Sequence, residues 1–141
     1  MIKGDQNMKP AKRTQGMNWI AKSSRLAIYL RDGMACCYCG CTLEDGAKLS
    51  LDHLKCYSHG GSNDPSNLVT CCSTCNSSRS DRSLREFTDA VAAYRNHGIT
   101  GDDIRRHINN CRRRALPRAE ARKIINRRAT WALALEDAAQ I

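Results

Sequence analysis

Two Cys-x-x-Cys pairs enclose an Asp-His step in this chain. The first runs from Cys36 to Cys39 and is followed by Gly40; the second runs from Cys72 to Cys75 and is followed at once by Asn76. Between them stand Asp52-His53 and the stretch Gly60-Gly61-Ser62-Asn63-Asp64-Pro65-Ser66-Asn67-Leu68. Four thiolates in two such pairs suit one tetrahedral zinc ion. They leave that ion no open position, so it would hold the fold and take no part in a reaction. The carboxylate, imidazole and amide groups that lie between and beside the pairs are of the types used in metal-assisted phosphodiester cleavage. A two-residue gap gives the usual knuckle and selects Cys36, Cys39, Cys72 and Cys75. Cys37 and Cys41 flank the first pair and Cys71 adjoins the second, so the register among Cys36/Cys37 and Cys71/Cys72 stays open at this level.

These residues need short elements that end where the chemistry begins. Ser23-Ser24 is expected to cap a helix carrying Leu26, Ile28, Tyr29 and Leu30, with Gly33 as its stop. From Ala35 to about Ser58 the pattern is short strands and turns, and Leu49-Ser50-Leu51 has the alternation of a strand that delivers Asp52-His53 at its end. Gly60-Gly61 and Asn63-Asp64-Pro65 are loop signals. Cys75 to Arg79 begins a short helix. Further on, Leu84, Phe87, Val91 and Tyr94 recur at helical spacing over residues 83–96. Thr100 caps a helix with Asp102 and Asp103 in its first turn and Ile104, Ile108 and Cys111 as its stripe. After Pro117 a last helix is expected to reach about Ala138, with Ile124, Ile125, Ala129, Ala132, Leu133 and Leu135 mostly on one side. No internal repeat is visible.

A chain of 141 residues is expected to form one compact domain with a helical extension. Aromatics make up only 5% of it and hydrophobics 41%, so a metal would help a modest core. The net charge of +9 points to a polyanionic partner. That charge lies on the flanks. Residues 1–31 carry seven basic side chains against Asp5 alone, residues 33–80 are near neutral, and residues 81–141 are basic again, with runs at Arg105-Arg106, Arg112-Arg113-Arg114 and Arg127-Arg128. Nine cysteines could suggest a secreted disulfide framework, but the number is odd and no apolar h-region lies between Met1 and Trp19. Reduced thiols in an intracellular, cytoplasmic setting are the expectation. No stretch approaches the ~20 apolar residues that span a bilayer, so no membrane partner is expected.

The run Arg31-Asp32-Gly33, Cys36-x-Tyr38-Cys39-Gly40, Leu51-Asp52-His53, Gly60-Gly61, Asn67-Leu68-Val69, Cys72-x-x-Cys75-Asn76 and Arg79-x-Asp81 resembles an HNH endonuclease of the four-cysteine kind, over roughly residues 24–82. The resemblance implies an α+β fold. A small ββα-metal core with a structural zinc would be flanked by an N-terminal helix and C-terminal helices. The implied organisation is a flexible basic arm over 1–17, the nuclease domain over 18–82, and a basic helical extension over 83–141. A small stand-alone chain of this kind resembles phage or mobile-element nucleases.

The resemblance also implies roles. His53 would be the general base, Asp52 a ligand of a catalytic divalent ion, Asn67 the residue that holds the loop in shape, and Asn76 the second ligand of that ion. Arg79 would lie near the substrate phosphate. Outside the family pattern, His59 just before Gly60-Gly61 is expected near the site as an extra phosphate contact or metal ligand. Oxygen donors from Asp52 and Asn76 suit Mg²⁺ or Mn²⁺. The implied reaction is hydrolysis of double-stranded DNA, leaving 5′-phosphate and 3′-hydroxyl ends, by a monomer or a homodimer. Where the family often has a Pro three residues after the His, this chain has Cys56, so the following loop is expected to be looser. The competing expectation is a zinc-stabilised nucleic-acid-binding module without catalysis.

Overall fold

The computed structural model describes residues 19–95 and 98–141, so the expected basic arm over 1–17 lies outside the described residues. The fold is α+β. Helix α1 (Lys22–Arg31) precedes a two-stranded antiparallel sheet of β1 (Leu49–His53) and β2 (Leu68–Cys72), which runs directly into helix α2 (Ser73–Arg79). Helices α3 (Leu84–Arg95), α4 (Gly101–Arg113), α5 (Arg118–Arg127) and α6 (Trp131–Ala138) follow. Leu49 pairs with Cys72 and His53 with Leu68, so β1 ends on the Asp-His step while β2 ends on a cysteine.

Two apolar clusters sit on opposite sides of this hairpin. Cys36, Cys37, Tyr38, Val69, Cys71, Cys72 and Cys75 from the hairpin side pack with Phe87 and Val91 of α3 and Ile104, Ile108 and Cys111 of α4. Leu26, Ala27, Ile28 and Tyr29 of α1 pack with Leu51 and Leu68 of the strands, Ala121 and Ile124 of α5, and Ala134 and Ala138 of α6. Both clusters thus draw on residues from either side of position 82. The helices after α2 are packed on the hairpin and on α1.

The local expectations meet the structure unevenly. Thr100 caps α4 as expected: its hydroxyl accepts from the Asp103 N–H, and the Asp103 carboxylate accepts from the Thr100 N–H. Gly33 follows the end of α1 with φ of 86°. Ser23 and Ser24, however, lie inside the first turn of α1, whose N-cap is Ala21 with no side-chain bond. The Ser24 hydroxyl instead accepts from Arg118 of α5, a tertiary use that local sequence does not announce. Tyr94 is 90% exposed, because the last turn of α3 runs past the edge of the cluster that buries Phe87 and Val91. The single helix expected after Pro117 is two helices. Thr130 caps α6 by accepting from the Leu133 N–H, and the break folds α6 back on α5. Ala129 is consequently exposed and Leu133 largely so.

A buried ion pair locks α1 to β2. Arg31 Nε and Nη2 donate to Asp32 Oδ1 and Oδ2 at 2.7 and 3.2 Å, and the same guanidinium donates to the carbonyls of Pro65 and Leu68. Asp32 Oδ2 also accepts from the Thr70 N–H at 2.8 Å. Both side chains are almost wholly buried. Removing one partner strands the other charge away from water, so Asp32→Ala should lower the free energy of unfolding by about 3–5 kcal/mol, as read by urea titration of the zinc-loaded protein.

Candidate active site and metal centre

The metal centre is built from two tight turns. In the first, Gly40 N–H donates to the Cys36 carbonyl and Cys36 N–H to the Cys41 carbonyl, with Ala35 and Thr42 bridging behind them. Gly40 takes φ of 80°, which a side chain would resist, and so lets the knuckle close. In the second, Cys72 is at once the last residue of β2 and the N-cap of α2, and its Sγ accepts from the Cys75 N–H at 3.3 Å. The Sγ atoms of Cys36, Cys39, Cys72 and Cys75 all lie within 4.8 Å of one another. The register selected by the two-residue gap is therefore the one the fold assembles. Cys71 is turned to the other side of β2 and fully buried. Cys37 belongs to a different group, with His107 and Cys111. Cys41 remains beside the centre, its sulfur 3.2 Å from that of Cys39.

The donor set fits zinc: four sulfurs, mutually close, three buried and Cys39 half-buried. The thiol of Cys36 is pushed down to about 5 by the hydrogen bond from Cys75, against the opposing effect of burial. The same bond, with burial added, pushes the Cys75 thiol up. Within this pair the negative charge is thus placed on Cys36.

The Asp-His step stands at the end of β1, and its two side chains have different surroundings. Asp52 is buried and turned toward α2. Its Oδ2 accepts from Arg79 Nη1 at 2.6 Å and from the Tyr38 hydroxyl. Oδ1 accepts no hydrogen bond among the described residues. Burial raises the Tyr38 phenol well above its usual range, and the adjacent Asp52 charge raises it further, so Tyr38 is a lasting donor. Burial works against the Arg79 charge, yet the Asp52 carboxylate together with Tyr38 and Cys56 outweighs it and the pKa is raised.

Arg79, expected near a substrate phosphate, is 2% exposed. Its guanidinium is turned inward, donating to Asp52 and to the carbonyls of His53, Leu54 and Arg82. It brackets the end of β1 against the end of α2.

His53 is half-buried, with the rings of Trp19 (centroids 5.1 Å apart) and Tyr57 (5.5 Å) beside it. Its Nε2 lies 2.7 Å from Asn63 Oδ1. With the amide in this orientation the carbonyl oxygen can only accept, so Nε2 carries the proton and the lone pair resides on Nδ1. Asn63, Trp19 and Tyr57 are absent from the sequence-derived set. Asn63 stood there only as a loop signal, and nothing in its spacing announces a partner ten positions back.

Asn67 holds the loop between His53 and β2. Its Oδ1 accepts from the Lys55 N–H, and its Nδ2 donates to the carbonyls of Lys55 and Ser62. Gly61 presses on the same carbonyl: a Cβ there would lie 1.7 Å from the Lys55 oxygen. Cys56 adopts φ of −55°, close to what a proline imposes, so its backbone already has the shape that Pro would supply, and its carbonyl accepts from both His59 and Gly61. The loop is held more firmly than expected. Asn76, half-buried on α2, donates through Nδ2 to the Ser50 hydroxyl at 3.3 Å, reaching the face of β1 that also carries Asp52. His59 is exposed on the short turn Tyr57–His59, and no contact with Asp52 or His53 is seen among the described residues.

Cys39→Ser and Cys75→Ser should each lose the zinc of this centre and the cooperative melting transition with it, as measured by metal analysis and calorimetry of the same samples. A normal transition in a zinc-free variant would contradict a structural role.

Residues 36–82 match the family model described as HNH endonuclease. No curated protein and no solved structure matches the chain. The segment that builds this site is an HNH endonuclease domain, a nuclease family whose substrates are nucleic acids, with a cysteine cluster that fits the zinc-stabilised kind.

Proposed function

We propose that the protein is a metal-dependent endonuclease that hydrolyses DNA phosphodiester bonds, with His53 as general base. The observation that carries this reading is the fixed imidazole. Asn63 holds Nε2–H, so Nδ1 is the basic nitrogen, and the neighbouring rings of Trp19 and Tyr57 crowd the imidazole. A base held in one tautomer and one orientation pays little to reach the reacting water. Nδ1 takes a proton from water, the oxygen attacks phosphorus, and the 3′-oxygen leaves and is reprotonated by solvent. The products carry 5′-phosphate and 3′-hydroxyl ends.

A bound Mg²⁺ or Mn²⁺ would neutralise charge on the phosphoryl and leaving oxygens. The donors present fit such a hard cation: Asp52 keeps one carboxylate oxygen outside its hydrogen bonds to Arg79 and Tyr38, and the Asn76 amide uses its nitrogen on Ser50. Asp52 and Asn76 would hold it. Arg79 and Tyr38 act as positioning residues that aim the carboxylate. Asn67 fixes the loop that carries Asn63. Phosphate contacts are left to exposed polar groups, of which the cations Lys55 and Lys48 are the nearest along the chain to His53, with the His59 imidazole one position further than Lys48.

Exposed Arg113, Arg122 and Lys123 form no ion pair among the described residues and offer a polyanion further positive charge. By contrast Arg112 and Arg114 spend hydrogen bonds on the carbonyls of Ser66 and Arg31. The oligomeric state, monomer or homodimer, decides whether one strand or both are cut, and an intracellular site of action follows from the reduced thiols this centre needs.

In a plasmid-nicking assay with Mg²⁺ or Mn²⁺, His53→Ala should lower the cleavage rate by about 10²–10⁴-fold. Asn63→Ala should lower it less, with unchanged zinc content. Unchanged cutting by His53→Ala would refute the assignment of the base. Absence of cutting by the wild type together with tight, salt-sensitive duplex binding would instead favour a non-catalytic binding module.

A further inference from the structure

Three side chains outside the four-cysteine centre meet at the seam between the first knuckle and α4. Cys37 sits inside the knuckle, between two zinc ligands, with its N–H donating to the Thr70 carbonyl of β2. His107 and Cys111 are one turn apart on α4, on the same face, with the Cys111 sulfur 3.6 Å from His107 Nε2. One ligand atom from each of Cys37, His107 and Cys111 lies within 4.8 Å of the others. Cys37 and Cys111 are buried, and His107 closes the group from the solvent side.

We propose that Cys37, His107 and Cys111 form a second zinc site, of Cys₂His type, that clips α4 to the zinc knuckle. The chemistry of the donors decides the metal. Two thiolates and an imidazole suit Zn²⁺, whereas Mg²⁺ and Ca²⁺ require oxygen ligands. Three protein ligands leave the fourth tetrahedral position to water on the side where His107 is exposed. The placement also divides adjacent cysteines between two ions. Cys36 turns to the hairpin centre, and Cys37, the next residue, turns to α4.

Burial alone does not account for this trio. The apolar stripe of α4 runs through Ile104, Ile108 and Cys111, all buried in the same cluster. A cysteine at 111 with a histidine one turn earlier adds nothing to apolar packing that an alanine or valine would not. It does place an imidazole nitrogen beside two sulfurs that face each other across the seam. The clip would fasten α4, which also reaches the loop carrying Asn67 through Arg112 and the Ser66 carbonyl. The site is independent of the nuclease reading, since none of its members belongs to the proposed catalytic set.

The test is the metal content of the full-length protein, with free thiols counted on the same sample, followed by Co²⁺ exchange. Two zinc equivalents per chain are expected for the wild type. His107→Ala and Cys111→Ala should each retain one, as should Cys37→Ser. His107 is exposed, so His107→Ala keeps the test valid should a cysteine variant fail to fold. Cys41→Ser and Cys56→Ser should keep two equivalents, which separates the site from scavenging by spare thiols. In the Co²⁺ protein the sulfur-to-metal charge-transfer band should fall in His107→Ala and Cys111→Ala relative to wild type. One equivalent in the wild type, two equivalents in His107→Ala and Cys111→Ala, or a Cys37–Cys111 disulfide in the freshly purified protein would each overturn the proposal.

Discussion

Four sulfur atoms gathered within 4.8 Å set the terms for everything between residues 36 and 75. As thiolates they repel one another, and as neutral thiols they are weak partners that gain little from being close. Only a cation makes the arrangement strongly favourable. A bound cation would close a loop of some forty residues whose own hydrogen-bonded sheet has two strands, too few to stand alone. The register of the sheet would follow from it. Cys72 is the last residue of β2 and the cap of α2, so fixing its sulfur also fixes where the strand stops and the helix starts. Asp52 and His53 inherit their positions through the pairing of β1 with β2.

A second constraint acts inside the first. Arg79 is a buried cation at the end of α2, and it gathers the carboxylate of Asp52 and three backbone carbonyls, from the last residue of β1, the residue after it and the chain after α2. Such a group is tolerable away from water because every nitrogen of its guanidinium has an acceptor. It also divides the work of Asp52. One oxygen serves the fold through Arg79 and Tyr38, and the other accepts no hydrogen bond among the described residues. This is a more economical use of the carboxylate than the sequence suggested, where Asp52 stood only as a metal ligand and Arg79 only as a phosphate contact.

What the sequence disclosed was whatever rests on short spacing. The Cys-x-x-Cys gaps, the strand leading into Asp52-His53, the capping pair of Thr100 and Asp103, and the stripe of Ile104, Ile108 and Cys111 are all local, and the fold contains them. What it concealed was long-range. Asn63 reaches His53 across ten positions, and Arg79 reaches Asp52 across 27. Ser24 serves Arg118 rather than its own helix end, across 94. In each case a polar side chain has several equivalent uses nearby, and the choice among them is made by tertiary packing. The break before Thr130 was hidden for a related reason. Alanine-rich sequence is compatible with continuing the helix, and only the burial of Ala134 and Ala138 against α1 and α5 rewards turning back.

The basic C-terminal half illustrates how net charge and function separate. Its helices complete both apolar clusters: Ile104, Ile108 and Cys111 on one side of the hairpin, and Ala121, Ile124, Ala134 and Ala138 on the other. They are therefore part of the body that supports the site and cannot be treated as an appended arm. Several of their arginines are spent on that support. Arg105 bridges Asp89 and Asp102, Arg127 pairs with Asp137, and Arg112, Arg114 and Arg118 reach back to Ser66, Arg31 and Ser24. A guanidinium already engaged with a carbonyl or carboxylate has less to offer a phosphate, because binding must first release those bonds. The formal charge of +9 thus overstates the field available to a polyanion, and the arginines and lysines left without such bonds are the ones whose positions matter for it.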